Sequence, residues 1–144
     1  MIVRQILKSK GATVTAVPAT EPVGRVATLL HEARIGSVIV HDETLTPIGI
    51  LSERDIVRGM AVSGAAVMEA PVRDLMTADF LTCSPYDHID KLMQVVTEHR
   101  VRHLPVLEKG HLAGIVSIGD LVKARISELE SEGEALRTYI GAGA

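Results

Sequence analysis

Two stretches of this chain carry the residues whose types and spacing best suit chemistry: a serine with an aspartate three positions later. They read GILSERDIVR at 49–58 and GIVSIGDLVK at 114–123. Such a pair is a capping box, in which the serine and the acid satisfy backbone amides at the start of a helix. It also suits ligand binding, since amides at a helix start bind phosphate and a carboxylate accepts hydrogen bonds from sugar hydroxyls. Both roles stay open for Ser52 with Asp55 and for Ser117 with Asp120.

The two stretches are copies of one internal repeat. Five of their ten positions are identical, whereas chance gives fewer than about one match in ten at average residue usage. The similarity extends to VRQIL at 3–7 with VRDLM at 72–76, and to IGSVIVHD at 35–42 with VRHLPVLE at 101–108. The chain therefore contains two half-sized units of the same design.

The first repeat predicts the order strand, helix, strand, strand, helix. Apolar periodicity and β-branched runs place these elements at 14–17, 20–34, 37–41, 48–51 and from Ser52 to about Met60. Thr20 is the predicted cap of the first helix.

The second repeat predicts the same order. Its strands are expected at 80–83, 102–107 and 112–116, with a helix capped by Asp87 and a last helix opened by Ser117. The tail after residue 127 carries apolar residues on one helical face, weakened by Gly133, and is either a solvated extension or a dimer contact.

Composition narrows the function classes. The 144 residues are 47% apolar and 23% charged, with a net charge of −3 and one cysteine. No basic cluster indicates nucleic-acid binding, no apolar stretch is long enough to cross a membrane, and the start MIVRQILKSK has no signal core. We expect a cytoplasmic protein with neither nucleic acid nor membrane as a partner.

Two copies of a β-α-β-β-α unit, each with Gly-Ile-hydrophobic-Ser-x-x-Asp entering its last helix, resemble a pair of cystathionine-β-synthase (CBS) domains, or Bateman module. The resemblance covers roughly residues 3 to 126. It implies an α/β (α+β) fold of two pseudo-symmetric units packed through their sheets, at 1–66 and 67–127, with a tail at 128–144. It also implies adenine-nucleotide sites in the cleft between the units.

The resemblance implies a role for fourteen residues. Asp55 and Asp120 are expected to bind ribose, with Ser52 and Ser117 at the helix starts. Basic residues are expected to contact phosphate, with room made by a glycine: Arg54, Arg102, His103 and Gly119. The base is expected between edge strands, at residues that equally suit a plain core: Val14, Thr15, Val38, Leu81, Thr82, His103 and Leu104. Arg54 equally suits a solvated helix face, and the Asp120 site is expected to be the tighter one.

Three functions compete. The first is a stand-alone regulatory module that binds AMP, or else ATP or NAD(H), needs no cofactor, and signals to an unknown effector protein. The second is a dimeric scaffold without a physiological nucleotide, and the third, ranked last, is an enzyme. No metal site is expected, because His99 and His103 lack further ligands. Cys83 is expected to be buried and inert. A homodimer is expected to cover apolar helix faces at Val23, Leu30, Leu92 and Val96.

Overall fold

The computed structural model describes residues 1–11 and 13–143. The chain forms two compact units. Thr13–Phe80 is called the first-repeat unit, and Met1–Ala12 with Leu81–Ala144 is called the second-repeat unit. The expected division at 1–66 and 67–127 follows the sequence repeat, whereas the packing assigns the N-terminal segment to the second repeat.

The first-repeat unit is built around a three-stranded sheet. Its elements are β1 (Ala16–Pro18), α2 (Val23–Ala33), β2 (Ser37–His41), β3 (Pro47–Ser52) and α3 (Glu53–Ser63), followed by 3-10 turns at Gly64–Glu69 and Val72–Asp74. The order is β1-β2-β3, with β1 parallel and β3 antiparallel to β2. Val38, Val40 and Leu51 are buried on this sheet against Val26 and Leu30 of α2. The predicted order of elements is confirmed for this repeat.

The second-repeat unit combines a two-stranded sheet with three helices. Its elements are α1 (Val3–Lys10), α4 (Ile89–His99), β4 (His103–Glu108), β5 (His111–Ser117) and α5 (Ile118–Gly143). Strands β4 and β5 pair antiparallel.

The strand predicted at 80–83 is wrong. Only Cys83 forms a bridge, to Val106, through hydrogen bonds from its amide to the Pro105 carbonyl and from the Leu107 amide to its own carbonyl. A turn follows at once, in which the Ser84 amide donates to the Asp87 carboxylate at 2.9 Å. This turn takes the chain away from β4 after one residue.

The segment that leads into the first repeat packs with the second repeat. The Val3 amide donates to the Asp87 carbonyl at 3.0 Å, and the Ile89 amide donates to the Met1 carbonyl at 3.1 Å. Val3 itself is fully buried. Because these bonds and this burial tie α1 to α4 and its preceding turn, the N-terminal segment is part of the second-repeat unit.

The segment that leads into the second repeat makes the equivalent contacts in the first. The Val72 amide donates to the Glu21 carbonyl at 2.8 Å, and the Val23 amide donates to the Ala70 carbonyl at 2.9 Å. Val72 is also fully buried. The two lead-in segments, residues 1–10 and 70–77, are therefore exchanged between the repeats in the same way.

This exchange explains why two predicted helix caps are wrong. Helix α2 begins after Pro22 and α4 begins after His88, with no side-chain cap at either, so Thr20 and Asp87 do not cap them. The first amide of each helix instead donates to a backbone carbonyl of a lead-in segment. A backbone acceptor satisfies this amide as well as a side chain does.

The motif glycines admit the lead-in side chains. A Cβ on Gly114 would lie 2.7 Å from Cδ2 of Leu7, and a Cβ on Gly49 would clash with the thioether of Met76. The glycine of each motif copy is therefore explained by close packing of the lead-in segment.

The helix faces expected to need a dimer partner are covered within the chain. The exposed fractions of Val23, Leu30, Leu92 and Val96 are 0 to 4%. These side chains pack into the cores of their own units, so this reason for dimerisation is wrong. Most of the exposed large apolar side chains of the described residues lie instead on α3 and α5.

The tail continues the last helix. Helix α5 runs unbroken through Gly133 to Gly143. Residue 144, the end of the predicted tail, lies outside the described residues. Residues 128–143 thus extend the motif helix and are not a separate element.

Candidate functional site

In the first motif copy, both oxygens of the Asp55 carboxylate are occupied by the protein. The Ser52 amide and hydroxyl donate to Oδ2 at 2.9 and 3.0 Å. Arg58 and the Thr77 hydroxyl reach Oδ1 at 3.4 and 3.5 Å. Asp55 is 7% exposed and is the one buried charged residue in the part of the chain that the structure describes. The capping box therefore forms here, and hydrogen bonds within the protein involve both oxygens of the Asp55 carboxylate.

In the second motif copy the acid has different neighbours. The Ser117 amide donates to Oδ2 of Asp120 at 2.8 Å, and the Asp120 amide donates to Ser117 Oγ at 3.1 Å. The Lys10 ammonium group pairs with the same Oδ2 at 2.6 Å and also donates to the Ile115 carbonyl at 3.0 Å. The Asp120 side chain is 23% exposed. The Ser117 amide and the Lys10 ammonium group therefore share one oxygen of the carboxylate, Oδ2.

The pKa of Asp120 follows from this arrangement. Burial by itself would raise the pKa of the carboxyl, but the Lys10 ammonium and the Ser117 amide stabilise the carboxylate more. The net result is a pKa below the usual value. Asp120 is therefore a charged hydrogen-bond acceptor at neutral pH.

The amides at both helix starts are partly used. In the first copy, the first helical amide, that of Glu53, donates to the Gly36 carbonyl at 3.0 Å. In the second copy, the Ile118 amide donates to the Arg102 carbonyl at 2.9 Å. The third donates to the motif serine. Two of the first three amides of each motif helix are therefore used, one by the residue just before β2 or β4 and one by the capping serine.

The family is decided by a match to the whole doubled pattern. The family model for the CBS domain matches twice, at residues 3–62 and 72–127. The chain belongs to the CBS-domain family. Both matches include a motif with its serine and aspartate, and both begin at the lead-in valine that the structure buries in the other repeat.

Known CBS proteins resemble the chain along most of its length. CBS domain-containing protein CBSX3, mitochondrial, of Arabidopsis thaliana is 30% identical, over 98% of this chain and 72% of its own. The crystal structure of the CBS-domain containing protein ATU1752 from Agrobacterium tumefaciens superposes with a TM-score of 0.83 at 42% identity, covering 86% of this chain and 92% of that one. The CBS domain protein PAE2072 from Pyrobaculum aerophilum, solved in complex with AMP, gives 0.78 at 26% identity, covering 91% and 99%.

Three residues expected at the first CBS site lie around the start of β1 and in β2. Val14 and Thr15 are half-buried and precede β1 instead of lying within a strand. The Thr15 carbonyl accepts a hydrogen bond from Ile39 at 3.0 Å. Val38 is buried at 1% exposure, so its side chain belongs to the core.

The corresponding residues of the second repeat are more open. Leu81 is half-buried and Thr82 exposed, both outside any strand, and Leu104 is a core residue at 1% exposure. His103 is half-buried, begins β4 and lies opposite Ser117 across the β4–β5 pair. The sheet therefore brings His103 to the motif serine.

The remaining predicted residues have exposed side chains near the motif helices. Arg54 lies in the first turn of α3. Arg102 lies just before β4, where its carbonyl accepts from the first amide of α5. A Cβ on Gly119 would meet only Ser117 Oγ, at 3.6 Å. Packing thus does not require a glycine there.

Sequence reasoning missed two residues at the motif acids, Lys10 and Thr77. Both belong to lead-in segments, and both reach an acid of the motif that lies far from them in sequence. The repeat of VRQIL and VRDLM showed that the lead-in segments are equivalent. Nothing in that pattern indicated which repeat each segment packs against.

The other chemically notable groups lie apart from the motif acids. Cys83 is buried, and this burial, together with the nearby Asp87 charge, raises the pKa of its thiol to about 12. Within the described residues there is no cluster of three metal-ligating side chains. None of the helices in that same part of the chain is both long and apolar enough to span a membrane.

Proposed function

We propose that this CBS pair is a regulatory module that binds an adenine nucleotide, AMP first and then ATP or NAD(H). Occupancy would be transmitted as a conformational change to a separate effector protein. The observation that carries the proposal is the Asp120 carboxylate, which is charged and partly exposed at a helix start and whose Ser117 amide and Lys10 donors share one oxygen. The AMP complex of the Pyrobaculum relative supports this ligand class.

In the second motif copy we assign ribose binding to Asp120, whose Oδ1 can accept from a sugar hydroxyl. The Gly119 amide lies between two amides that are already used, and it can donate to a phosphate. The open space at Gly119 is consistent with a bound group there. Arg102, exposed beside this helix start, adds the positive charge that a phosphate needs.

Lys10 gives this site a property that the sequence did not reveal. Its ammonium group offsets the charge of Asp120, which would otherwise repel an anionic ligand. Because the Lys10 side chain is about one-third exposed, its ammonium group can pair with a phosphate while remaining near the carboxylate. We therefore add Lys10 to the proposed binding residues.

The other proposed residues complete two unequal sites. In the Asp120 site, which we call the stronger site, Ser117 and His103 would flank the phosphate. Backbone groups at Leu81, Thr82 and Leu104 would hold the base. The weaker site would use Ser52, Arg54, Asp55, Val14, Thr15 and Val38. There the ligand must displace internal hydrogen bonds of Asp55, since both carboxylate oxygens already have donors.

The geometry of the first copy favours a second candidate function. Asp55 is buried and serves as a capping acid. A scaffold that binds no physiological nucleotide needs nothing more from this motif. Neither candidate needs catalytic residues or a cofactor, and a cytoplasmic location remains a prediction.

A thermal-shift panel tests the proposal directly. AMP, ADP, ATP, NAD(H) and S-adenosylmethionine are each added at millimolar concentration, with GMP as the matched control for the base. A ligand at a hundred times its dissociation constant adds about 2.7 kcal/mol of stability, which raises the melting midpoint by several degrees. A shift with AMP but not GMP supports the sensor, whereas no shift with any adenine ligand leaves the scaffold.

A further inference from the structure

From Ile126 onward, helix α5 carries large apolar side chains that the rest of the described chain does not cover. Near the start of the helix Leu121 and Ala124 are buried, whereas none of residues 129–142 is buried. Apart from Tyr139 (77%), the exposed large apolar side chains of this part of α5 are Ile126 (52%), Leu129 (49%), Leu136 (59%) and Ile140 (62%). An isolated helical segment of about 14 residues, the length of 129–142, is marginally stable in water without a packing partner.

The spacing of these side chains is that of a coiled-coil heptad. Ile126, Gly133 and Ile140 occupy successive a positions, and Leu129 and Leu136 occupy the d positions between them. Isoleucine at a with leucine at d favours two parallel strands. Gly133 leaves one a layer empty, and nothing lies within 4 Å of a Cβ built there.

The heptad face and the face that packs on the second-repeat unit are different. At about 100° per residue, the a and d positions lie roughly a third of a turn away from Leu121 and Ala124. Arg125, between the two faces, pairs with Asp90 of α4 at 3.5 Å and with Glu128. The helix can therefore pack on its own unit and on a second helix at the same time.

The flanking charges fit a second copy of the same helix. In a parallel pair each g residue lies near the e residue of the next heptad on the other strand. Here Glu132 at g would meet Arg137 of the second copy, and Arg125 at g would meet Glu130 of the second copy. Both contacts join opposite charges. The outward b, c and f positions from 127 to 138 are polar or small.

We propose that the segment from Val122 to Ile140 forms a parallel, in-register, two-stranded coiled coil with the same segment of a second copy of this chain. The a and d side chains are buried in the pair, and the tail of α5 is the dimerisation element. This surface is separate from the motif carboxylates and does not depend on nucleotide binding.

Cysteine cross-linking tests both the partner and its orientation. Leu129→Cys and Leu136→Cys each place a thiol at a d position, and Ser131→Cys is the matched control at an outward f position. The native Cys83 stays, because it is buried and its thiol is protonated at neutral pH. We expect both d variants to form disulfide-linked dimers under mild oxidation, and the control to remain monomeric under denaturing conditions. Cross-linking of only one d variant, or of neither beyond the control, overturns the proposal.

A gain of affinity tests the empty layer. Gly133→Ile and Gly133→Ala both improve helix propensity, but only isoleucine fills the a layer. Sedimentation equilibrium should show a dimer at least about tenfold tighter for Gly133→Ile than for Gly133→Ala, since each copy buries one large side chain. Equal dissociation constants for the two variants contradict a paired a position.

Discussion

The two copies of the motif carry the same serine and aspartate but use them differently. In the first copy Asp55 is 7% exposed and both of its oxygens accept hydrogen bonds from the protein. In the second copy Asp120 is partly exposed, and its partners are Ser117 and the flexible Lys10 side chain. A motif that is repeated in sequence therefore has two different surroundings, because the exchanged lead-in segments bring different residues to it.

The largest expected effect comes from breaking a lead-in segment. Leu7→Ala removes a side chain that is 8% exposed and packs over Gly114, and it should lower the free energy of unfolding by about 2–4 kcal/mol. Met76→Ala is the matched change in the other repeat and should cost less, because Met76 is only half-buried. Urea unfolding of both variants measures the difference. Equal losses below about 1 kcal/mol would show that neither lead-in segment stabilises the unit it packs in.

The next largest loss of stability is expected from removing a motif aspartate, and it should differ between Asp55 and Asp120. Asp55→Ala leaves the half-buried Ser52 amide without its charged acceptor and should cost about 2–3 kcal/mol, since hydrogen bonds to charged groups are the stronger ones. Asp120→Ala removes a partly exposed acceptor and should cost about 1 kcal/mol. Chemical denaturation at pH 7 checks the order. A larger loss for Asp120→Ala would contradict the contrast between the two copies.

Lys10→Met should produce the smallest loss of stability, about 0.5–1 kcal/mol at neutral pH, because the ion pair is partly exposed. The loss should depend on pH. The folded pKa of Asp120 is lowered, so its contribution to stability is complete above the unfolded value of about 3.9 and disappears as the pH falls through the folded pKa. The wild type and Lys10→Met should therefore converge below about pH 4. A constant difference from pH 7 to pH 3 would show that Lys10 stabilises the fold by packing instead.

The sequence predicted the order of elements because hydrophobic periodicity is local. The helices at 23–33 and 89–99, the strand at 37–41 and both motif helices form where the pattern indicated them. The strand at 80–83 was overestimated because the turn after Cys83 ends its pairing after one residue. The caps at Thr20 and Asp87 failed because backbone from a distant segment took their place.

The motif serines and aspartates could be found from sequence, but their environments could not. The roles of Lys10 and Thr77 depend on which repeat each lead-in segment packs against, and both repeats have the same pattern there. The burial of Val23, Leu30, Leu92 and Val96 depends on the same tertiary choice. Single-sequence patterns describe faces, not what covers them.

The central claim is that Asp120 binds the ribose of an adenine nucleotide. Calorimetric titration of AMP into the wild type, Asp120→Ala and Asp55→Ala tests it most directly, at a temperature where all three are folded. Asp120→Ala should weaken AMP binding by about tenfold to a hundredfold, while Asp55→Ala should have a smaller effect at the stronger site. A change of less than about threefold for Asp120→Ala would contradict the assignment.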